Sequence, residues 1–388
     1  MLQRLFIFLL IFLILPDIYL YLRFIVHLTA RRRLKILYWL PTFLLSTGLL
    51  YLVYFSNNAF AERHTQDIGW FSIFFFLFTA PKLLLFLCTV IGIPFHKWLR
   101  WPRTPFICTG LTLAVVSIVM IIYGSFIGRT QFDVKEVTYS SSKLPSSFDG
   151  YRIVQLSDIH IGSWQGNASA IQNLVNLVNE QHPDLIAFTG DLVNHRAIEL
   201  NDFQHILAGL KAKDGVYSIL GNHDYGPYFR WKNKQEQDDN LSDLQQRQAA
   251  MGWKLLNNSH TILIQGNDSI ALIGVENEGE PPFSQYADLP KAMQGTEGMF
   301  QILLSHNPTH WRREVLPESD IDLMLAGHTH AMQLKLGNYS PSSYIYPEWS
   351  GMYLEGTRGL YVNVGIGYVG LPFRFGAWPE ITVLTLRR

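Results

Sequence analysis

Apolar residues form four long runs in the first third of the chain. These runs extend over residues 5–28, 36–55, 68–93 and 106–126. Each reaches the roughly 20 residues that a helix needs to cross the hydrocarbon core of a bilayer. The first run follows Arg4 but lacks a small-residue cleavage site, so we interpret it as a retained membrane helix and not as a signal peptide. The pattern therefore predicts four transmembrane helices.

Two charged residues interrupt these runs, and each directly follows a proline. Asp17 comes after Pro16, and Lys82 comes after Pro81. An ionisable residue inside a membrane helix marks either a functional site or a buried structural contact. Because proline breaks the helical hydrogen-bond ladder, such a position suits an interface or the interior of a helix bundle. We therefore favour the structural interpretation.

A different pattern begins near residue 130, where a short apolar run is followed at once by polar residues five times. The apolar runs are 153–156, 185–188, 216–220, 302–304 and 323–326. Such runs bounded by Gly or Ser are typical of buried strands, and helix-like stretches at 168–181 and 201–211 separate the first three. This alternation predicts an α/β layered fold with at least one sheet rich in parallel strands. In such sheets ligands bind beyond the carboxyl ends of the strands, where all five polar clusters lie.

The remaining segments complete the predicted organisation. The tail predicts two further strands at 360–364 and 381–386, which a second sheet stacked on the first would accommodate. The polar segment 225–248 predicts a surface insertion that forms a rim or cap over the site. We therefore divide the chain into four transmembrane helices (1–128), a linker with a lead-in strand (129–149) and a layered α/β domain (150–388).

Composition and charge exclude some classes of function. The 388 residues include 31 basic and 31 acidic side chains, so the net charge is zero and nothing favours a nucleic-acid partner. Cys88 and Cys108 both lie inside apolar runs. They offer the second domain neither a disulfide framework nor a thiolate metal site.

The basic residues of the connections predict how the helices are oriented. The first connection carries Arg31, Arg32, Arg33 and Lys35, and the third carries Lys97, Arg100 and Arg103. The second connection has only Arg63, offset by Glu62 and Asp67. The positive-inside rule then places the first and third connections in the cytoplasm and the large domain on the extracytoplasmic side.

The polar clusters carry ligands that suit two divalent metal ions, namely carboxylate oxygens, an amide oxygen and imidazole nitrogens. The candidate ligands are Asp158, His160, Asp191, Asn222, His306, His328 and His330. Asp191, from the central cluster, is the natural bridge between the ions. Such a pair lowers the pKa of bridging water and clamps the phosphoryl oxygens during in-line attack. His223 follows a ligand directly and has an acidic neighbour, Asp224, so it is our candidate general acid.

The ordered set of clusters resembles the signature of the calcineurin-like metallophosphoesterases, and specifically of their membrane-anchored bacterial branch. The matching blocks are Asp158-Ile159-His160, Gly190-Asp191, Gly221-Asn222-His223-Asp224, Ser305-His306 and Gly327-His328-Thr329-His330. The resemblance implies a two-sheet β-sandwich flanked by helices and two divalent ions of manganese, iron or zinc. It implies one ion on Asp158, His160, Asp191 and His330, the other on Asp191, Asn222, His306 and His328, with His223 as proton donor. The branch commonly has two glycines after the last histidine, whereas this chain has Ala331 and Met332, a departure that bears on substrate choice more than on metal binding.

The favoured function is hydrolysis of phosphomonoesters or phosphodiesters by in-line attack of a metal-bridging hydroxide. A lipid head group is a candidate substrate, because only the short segment 129–143 separates the last membrane helix from the first catalytic strand. The alternative is a membrane sensor or scaffold that binds a phosphorylated ligand without turnover. Two further residues are candidates for contact with substrate. His195 lies four residues after Asp191, and Arg374 either binds a phosphate oxygen or forms a surface ion pair.

Overall fold

We describe residues 2–54, 65–281 and 283–388 from a computed structural model of the chain. The chain forms two compact units. The first comprises Met1–Ile127 and Gly370–Pro372, and the second comprises Gly128–Val369 and Phe373–Arg388. We call the first the membrane unit and the second the catalytic unit, and each is described separately.

The membrane unit is predominantly helical in the part that is described. Its helices are α1 (Leu2–Leu20), α2 (Val26–Leu28), α3 (Arg32–Tyr38), α4 (Leu40–Tyr54), α5 (Thr65–Leu99) and α6 (Thr104–Phe126). A π-helical turn, Tyr21–Ile25, joins α1 to α2. Four helical stretches are long and apolar enough to span a membrane: Ile7–Leu28, Arg32–Val53, Asp67–Leu99 and Thr104–Thr130. The prediction of four membrane-spanning helices is confirmed, while Glu62 and Arg63 of the second connection lie outside the described residues.

Asp17 and Lys82, the two charges within the apolar runs, lie against each other in this unit. The Lys82 ammonium is 2.7 Å from the Asp17 carboxylate, which is completely buried. Tyr38 donates its hydroxyl to the same carboxylate over 3.2 Å, and Thr42 also donates to it. Burial of a charge in an apolar medium is costly unless it is paired and hydrogen-bonded. The contacts therefore give both residues a structural role that joins α1 to α4 and α5.

The catalytic unit contains twelve strands among the described residues, arranged in two mixed sheets. The first sheet has the order β1 (Asp133–Ser140), β12 (Glu380–Arg387), β2 (Arg152–Leu156), β3 (Leu185–Phe188), β4 (Val216–Ser218) and β5 (Trp253–Leu255). The second has the order β10 (Gly351–Glu355), β11 (Arg358–Val362), β9 (Leu323–Ala326), β8 (Phe300–Leu304), β7 (Asp268–Gly274) and β6 (Ser259–Gln265). Strands β2 to β5 are mutually parallel, as are β7, β8, β9 and β11.

Alternation along the strands assigns each side chain to one of two cores. In β2, Ile153 packs into the core between the sheets, while the next residue, Val154, packs on the outer face of the first sheet. That outer face is covered by α7 (Ala168–Asn179), whose Ile171 and Leu174 recur at helical spacing and are buried. The predicted two-sheet α/β architecture flanked by helices is confirmed.

The short helices α8 (Gln204–Leu207), α10 (Leu289–Met293) and α11 (Leu316–Glu318) and the longer α9 (Lys234–Ala250) complete the unit. The structure refines three predictions. The tail does not lie in one sheet, since β11 joins the second sheet while β12 inserts between β1 and β2 of the first. The predicted helix at 201–211 is reduced to α8, and most of the polar insertion 225–248 is α9, a helix capped by Asn233.

We predict that the Asp17–Lys82 pair stabilises the membrane unit as a coupled pair. Asp17→Ala or Lys82→Ala leaves the partner charge buried without its counter-ion, and each should cost about 3 kcal/mol. The double variant removes both charges and should be less destabilised than the sum of the two single effects. Thermal unfolding of the full-length protein in detergent measures the four-variant cycle. Strictly additive effects would contradict the coupling.

Candidate metal centre

Five polar loops converge because the strands that they follow, three in one sheet and two in the other, end on the same side of the two-sheet core. The loops follow β2, β3 and β4 of the first sheet and β8 and β9 of the second, and they carry Asp158, His160, Asp191, Asn222, His306, His328 and His330. All seven predicted ligands are brought into this one region, and six of them are buried. The two sheets approach closely here, since a side chain at Gly327 would overlap Ser157 and Asp158.

The ligand atoms form three overlapping groups in which every pair of atoms lies within 4.8 Å. The groups are Asp158, His160 and His330; His160, Asp191 and His223; and Asp191, His306 and His328. Nε2 of His330 lies 3.1 Å from Asp158 Oδ1 and 3.1 Å from His160 Nε2. The spacing gives each group donors at distances that one metal ion could bridge.

Asp191 connects two of the groups through one carboxylate oxygen, Oδ2. Its Oδ2 lies 3.3 Å from His306 Nε2 and 3.6 Å from His160 Nε2, which belong to different groups. Its Oδ1 accepts a hydrogen bond of 2.8 Å from the backbone N–H of His223. The position is the one that a bridging carboxylate needs.

Electrostatics favours the metal-binding forms of His160, His328 and Asp191 but keeps His306 protonated in the absence of metal. Burial lowers the pKa of His160 well below its usual value, and it lowers that of His328 to about 3. Burial opposes ionisation of Asp191, but the surrounding histidines, above all His306, hold the pKa of that carboxyl well below its usual range. Burial also opposes the charge of His306, yet Asp191 raises the pKa of this histidine to about 10. A cation bound between Asp191 and His306 would therefore release one proton.

Two buried oxygens test whether metal ions fit the site. Asn222 Oδ1 has no hydrogen-bond donor, while the Nδ2 of the same amide donates to the Tyr228 hydroxyl over 3.0 Å. Asp158 Oδ1 accepts no hydrogen bond, although His330 Nε2 is close to it. A buried acceptor without a partner costs about 1–3 kcal/mol. Cations would satisfy both oxygens, and the mixture of carboxylate, amide oxygen and imidazole suits divalent manganese, iron or zinc.

Asp224 has a role that the sequence did not reveal. Its Oδ2 accepts from the backbone N–H of Asp191 and of Gly221, each over 2.9 Å. Its Oδ1 accepts from Leu192 over 2.9 Å and from Val193 over 3.2 Å. Burial, followed by the charge of Asp191, raises the pKa of Asp224 to about 7. The side chain therefore holds the loops after β3 and β4 together and does not contact the His223 ring.

His223 and His195 lie next to each other at the side of the ligand cluster. Nδ1–H of His223 donates a hydrogen bond of 2.8 Å to the Asn194 carbonyl oxygen. The His223 ring meets the edge of His160 at 4.7 Å, with the ring of His195 6.3 Å away. Burial, together with the charge of His223, lowers the pKa of His195 to about 4. His195, which was predicted to lie on the rim of the site, is thus half-buried and lies beside His223.

Arg374 is completely buried behind His330 and does not lie on the surface. Its Nε donates to Gly367 O over 2.7 Å, and its Nη1 donates to Ala377 O over 2.8 Å. Its Nη2 donates over 3.0 Å both to Val364 O and to His330 Nδ1. The surface ion pair that the sequence suggested is wrong, because the guanidinium is enclosed by backbone carbonyls and the ligand ring.

Three aromatic side chains lie around the ligand cluster. The Tyr228 ring is 4.3 Å from His223, the Tyr346 hydroxyl is 3.0 Å from His328 Nε2, and the Phe283 ring is 4.7 Å from His328. Tyr228 belongs to the segment 225–248 that was predicted to form a rim or cap, whereas nothing in the sequence indicated that Phe283 and Tyr346 would join it there. They give the mouth an apolar wall around a polar centre.

Two family profiles match the chain. One, described as calcineurin-like phosphoesterase, matches residues 151–332. The other, described as probable calcineurin-like phosphoesterase, transmembrane domain, matches residues 3–129. Between them the two profiles include all the predicted metal ligands and, except for Thr130, all four membrane-spanning stretches.

Related proteins of known sequence are also metallophosphoesterases by name. YkuE of Bacillus subtilis, an uncharacterized metallophosphoesterase, is 31% identical over 281 residues, which cover 68% of this chain and 89% of YkuE. A transmembrane protein with metallophosphoesterase domain from Danio rerio is 32% identical over 284 residues, which cover 71% of this chain but only 62% of that protein.

Two solved structures superpose on part of the chain at low similarity. A dimetal phosphatase from Danio rerio superposes with a TM-score of 0.33 at 13% identity, covering 56% of this chain and 88% of that one. A phosphopantetheinyl hydrolase from Mycobacterium tuberculosis gives 0.33 at 12% identity, covering 57% and 91%. Neither likeness bears on the activity of this chain.

Proposed function

The chain belongs to the calcineurin-like phosphoesterase family, and from that premise we propose that it is a membrane-anchored, metal-dependent hydrolase of phosphomonoesters or phosphodiesters. We propose residues 150–388 as the hydrolase domain, 129–149 as the linker and lead-in strand, and 1–128 as the anchor. The observation that carries the proposal is the convergence of seven buried or half-buried ligand side chains from two sheets, with oxygens that no protein donor satisfies.

We assign the ligands to two ions. Asp158, His160, Asp191 and His330 would hold one, and Asp191, Asn222, His306 and His328 would hold the other. The overlapping groups support this division, since Asp191 stands between His160 of the first set and His306 of the second. When bound, two divalent ions supply a nucleophilic water at neutral pH and positive charge for the phosphoryl oxygens.

The protein's own groups position the substrate and move the proton. His223 is the proposed proton donor to the leaving oxygen, since the Asn194 carbonyl fixes its Nδ1 and leaves Nε2 as the nitrogen available for transfer. His195 lies beside it on the proposed substrate side. Arg374 supports catalysis by fixing the His330 ring, because a direct contact with substrate would require it to leave its four buried partners.

We further propose that the substrate is a membrane-borne phosphate ester in a lipid head group. We also propose that the catalytic domain lies on the extracytoplasmic side. Only residues 127–132 separate α6 from β1, which limits how far the hydrolase domain can move from the bilayer. The basic first and third connections support the orientation. The aromatic wall at the mouth suits a substrate with an apolar portion next to its phosphate.

The metal assignment and the role of His223 are tested together. Chelation should abolish hydrolysis of an aryl phosphate diester by the full-length protein, and manganese should be among the ions that restore it. Asp191→Asn should lose bound metal and activity, whereas His223→Ala should keep metal and lose roughly 10²–10⁴-fold in kcat, most severely with poor leaving groups. Elemental analysis and steady-state kinetics give both readouts, with His205→Ala, an exposed histidine away from the motifs, as the control.

Different failures of this test have different meanings. Empty metal sites in His223→Ala would make that residue a ligand and remove its assignment as proton donor. Full activity of metal-free protein would exclude the mechanism. Tight binding of phosphate compounds without any turnover would favour the alternative, a membrane sensor or scaffold.

The orientation is tested with a reporter that functions only outside the cytoplasm. Fused after Arg388, it should be active, because the positive-inside rule places both chain ends outside. Fused after Arg103, in the third connection, the same reporter should be inactive. An inactive reporter after Arg388 and an active one after Arg103 would show that the catalytic domain lies in the cytoplasm.

The lipid substrate is tested in vesicles. The full-length protein in phosphatidylcholine vesicles should release phosphate from a phosphomonoester lipid roughly tenfold or more faster than from soluble glycerol phosphate at equal bulk concentration, because the anchor concentrates enzyme and lipid in one layer. Asp191→Asn in the same vesicles provides the blank. Turnover confined to soluble nucleotides or sugar phosphates would eliminate a lipid substrate while leaving the hydrolase proposal intact.

A further inference from the structure

The catalytic unit exposes an unusual number of large apolar side chains in one segment, 332–345, which we call the apolar rim segment. Its exposed residues are Met332, Leu336, Tyr339, Tyr344 and Ile345. Tyr344 is 80% exposed and Ile345 is 59% exposed. Elsewhere in the described part of the catalytic unit, exposed residues of this kind occur singly. Isolated exposed apolar residues are normal, but a contiguous group marks an interaction surface.

The backbone of the rim segment is held firmly, so the exposure does not reflect a loose loop. Ser340 and Ser342 are completely buried, and Ser340 Oγ donates to Ala331 O over 2.6 Å. Leu336 and Tyr339 exchange backbone hydrogen bonds of 2.8 and 3.1 Å. With the serines fixed inward, the tyrosines and Ile345 are directed to solvent. The rim segment therefore exposes its apolar side chains from a backbone that is fixed by hydrogen bonds.

Both ends of the rim segment are attached to the candidate metal centre. It begins two residues after the ligand His330, and the residue that follows it, Tyr346, places its hydroxyl 3.0 Å from Nε2 of the ligand His328. Ring contact between Tyr339 and Tyr344, at 6.1 Å, keeps the two exposed aromatics together. A partner that covers this surface would therefore lie beside the opening of the phosphoesterase site.

The composition of the segment selects the partner. Residues 331–346 contain one charged residue, Lys335, and no Asp or Glu. Tyrosine is enriched where proteins meet the bilayer interface, since its ring is apolar and its hydroxyl reaches the polar layer. The chain also carries four helices long and apolar enough to span a membrane, so this unit is part of a membrane protein. These features together favour a lipid interface over a second copy of the chain.

We propose that the apolar rim segment inserts into the interfacial layer of the bilayer and so brings the metal centre to the level of the lipid phosphates. The inference rests on the proposed function. It adds a route by which the lipid substrate of that function would reach the site. Tyr344 and Ile345, the two most exposed residues of the segment, would enter furthest. Soluble phosphate esters would reach the same site without using this surface.

The first test measures insertion without measuring activity. In a full-length Cys88→Ser/Cys108→Ser background, Tyr344→Cys carries an environment-sensitive fluorophore, and the protein is reconstituted in vesicles of phosphatidylcholine and phosphatidylglycerol. Nitroxide-labelled lipids should quench this fluorophore strongly, and aqueous iodide should quench it weakly. Ile264→Cys is the matched control, because Ile264 on β6 is also highly exposed, at 72%, but lies outside the segment. Its fluorophore should show the opposite preference.

The second test uses the split between substrates. Tyr344→Ser/Ile345→Ser should lower kcat/KM for a lipid phosphate in vesicles roughly tenfold, because two partly inserted apolar side chains are lost. It should leave hydrolysis of a soluble aryl phosphate within about twofold, as should Ile264→Ser with both substrates. An equal loss on both substrates would make the segment a structural part of the site and overturn the proposal.

The two tests separate failure of the inference from failure of the proposed function. Iodide quenching at position 344 equal to that at 264 overturns insertion, even if lipid phosphates are hydrolysed. Protection from both quenchers would show that a second copy or another part of the protein covers the segment, which also overturns it. If nitroxide lipids quench the fluorophore at position 344 but no lipid phosphate is hydrolysed, the segment does insert into the bilayer and the lipid substrate is rejected.

Discussion

The carboxylate of Asp224 is the contact on which the geometry of the site depends. By accepting four backbone N–H groups, from Gly221 and from Asp191 to Val193, it joins the loops that follow β3 and β4. The same interaction fixes the start of the turn that presents Asp191. Because a buried N–H without an acceptor is costly, no apolar residue could replace Asp224 without loosening both loops. Two of the loops that carry candidate ligands are thus held by a residue that is not itself a candidate ligand.

Backbone strain at the site is the second constraint. Five of the ligands, namely Asp158, His160, Asp191, His328 and His330, have φ values between 46° and 72°. Residues other than glycine rarely adopt this left-handed backbone conformation. Those that do usually lie at functional sites, where the surrounding structure fixes them. Left-handed turns at the strand ends direct the side chains back over the ends of the sheets. The hydrogen bonds of Asp224 and the packed cores beneath the loops supply the stability that such turns lack.

The sequence predicted those parts of the molecule that local rules determine. Apolar runs followed by metal-capable residues located β2, β3, β8 and β9, because strand periodicity and the edge position of ligands are both visible along the chain. It did not predict that β12 inserts between β1 and β2, since pairing across more than two hundred residues leaves no local signal. Arg374 was misplaced for a related reason. Its burial depends on carbonyls that only the folded loop brings together.

The turn after His330 joins the strain of the site to the apolar rim segment. Ala331 and Met332 stand where the related branch commonly carries glycines, and both have positive φ, 47° and 45°. Glycine would adopt this conformation without a steric penalty, so the two side chains make the turn less stable. Ala331 is completely buried, whereas Met332 is exposed and contributes its side chain to the rim segment. The departure from glycine therefore adds an exposed apolar side chain beside the candidate metal centre.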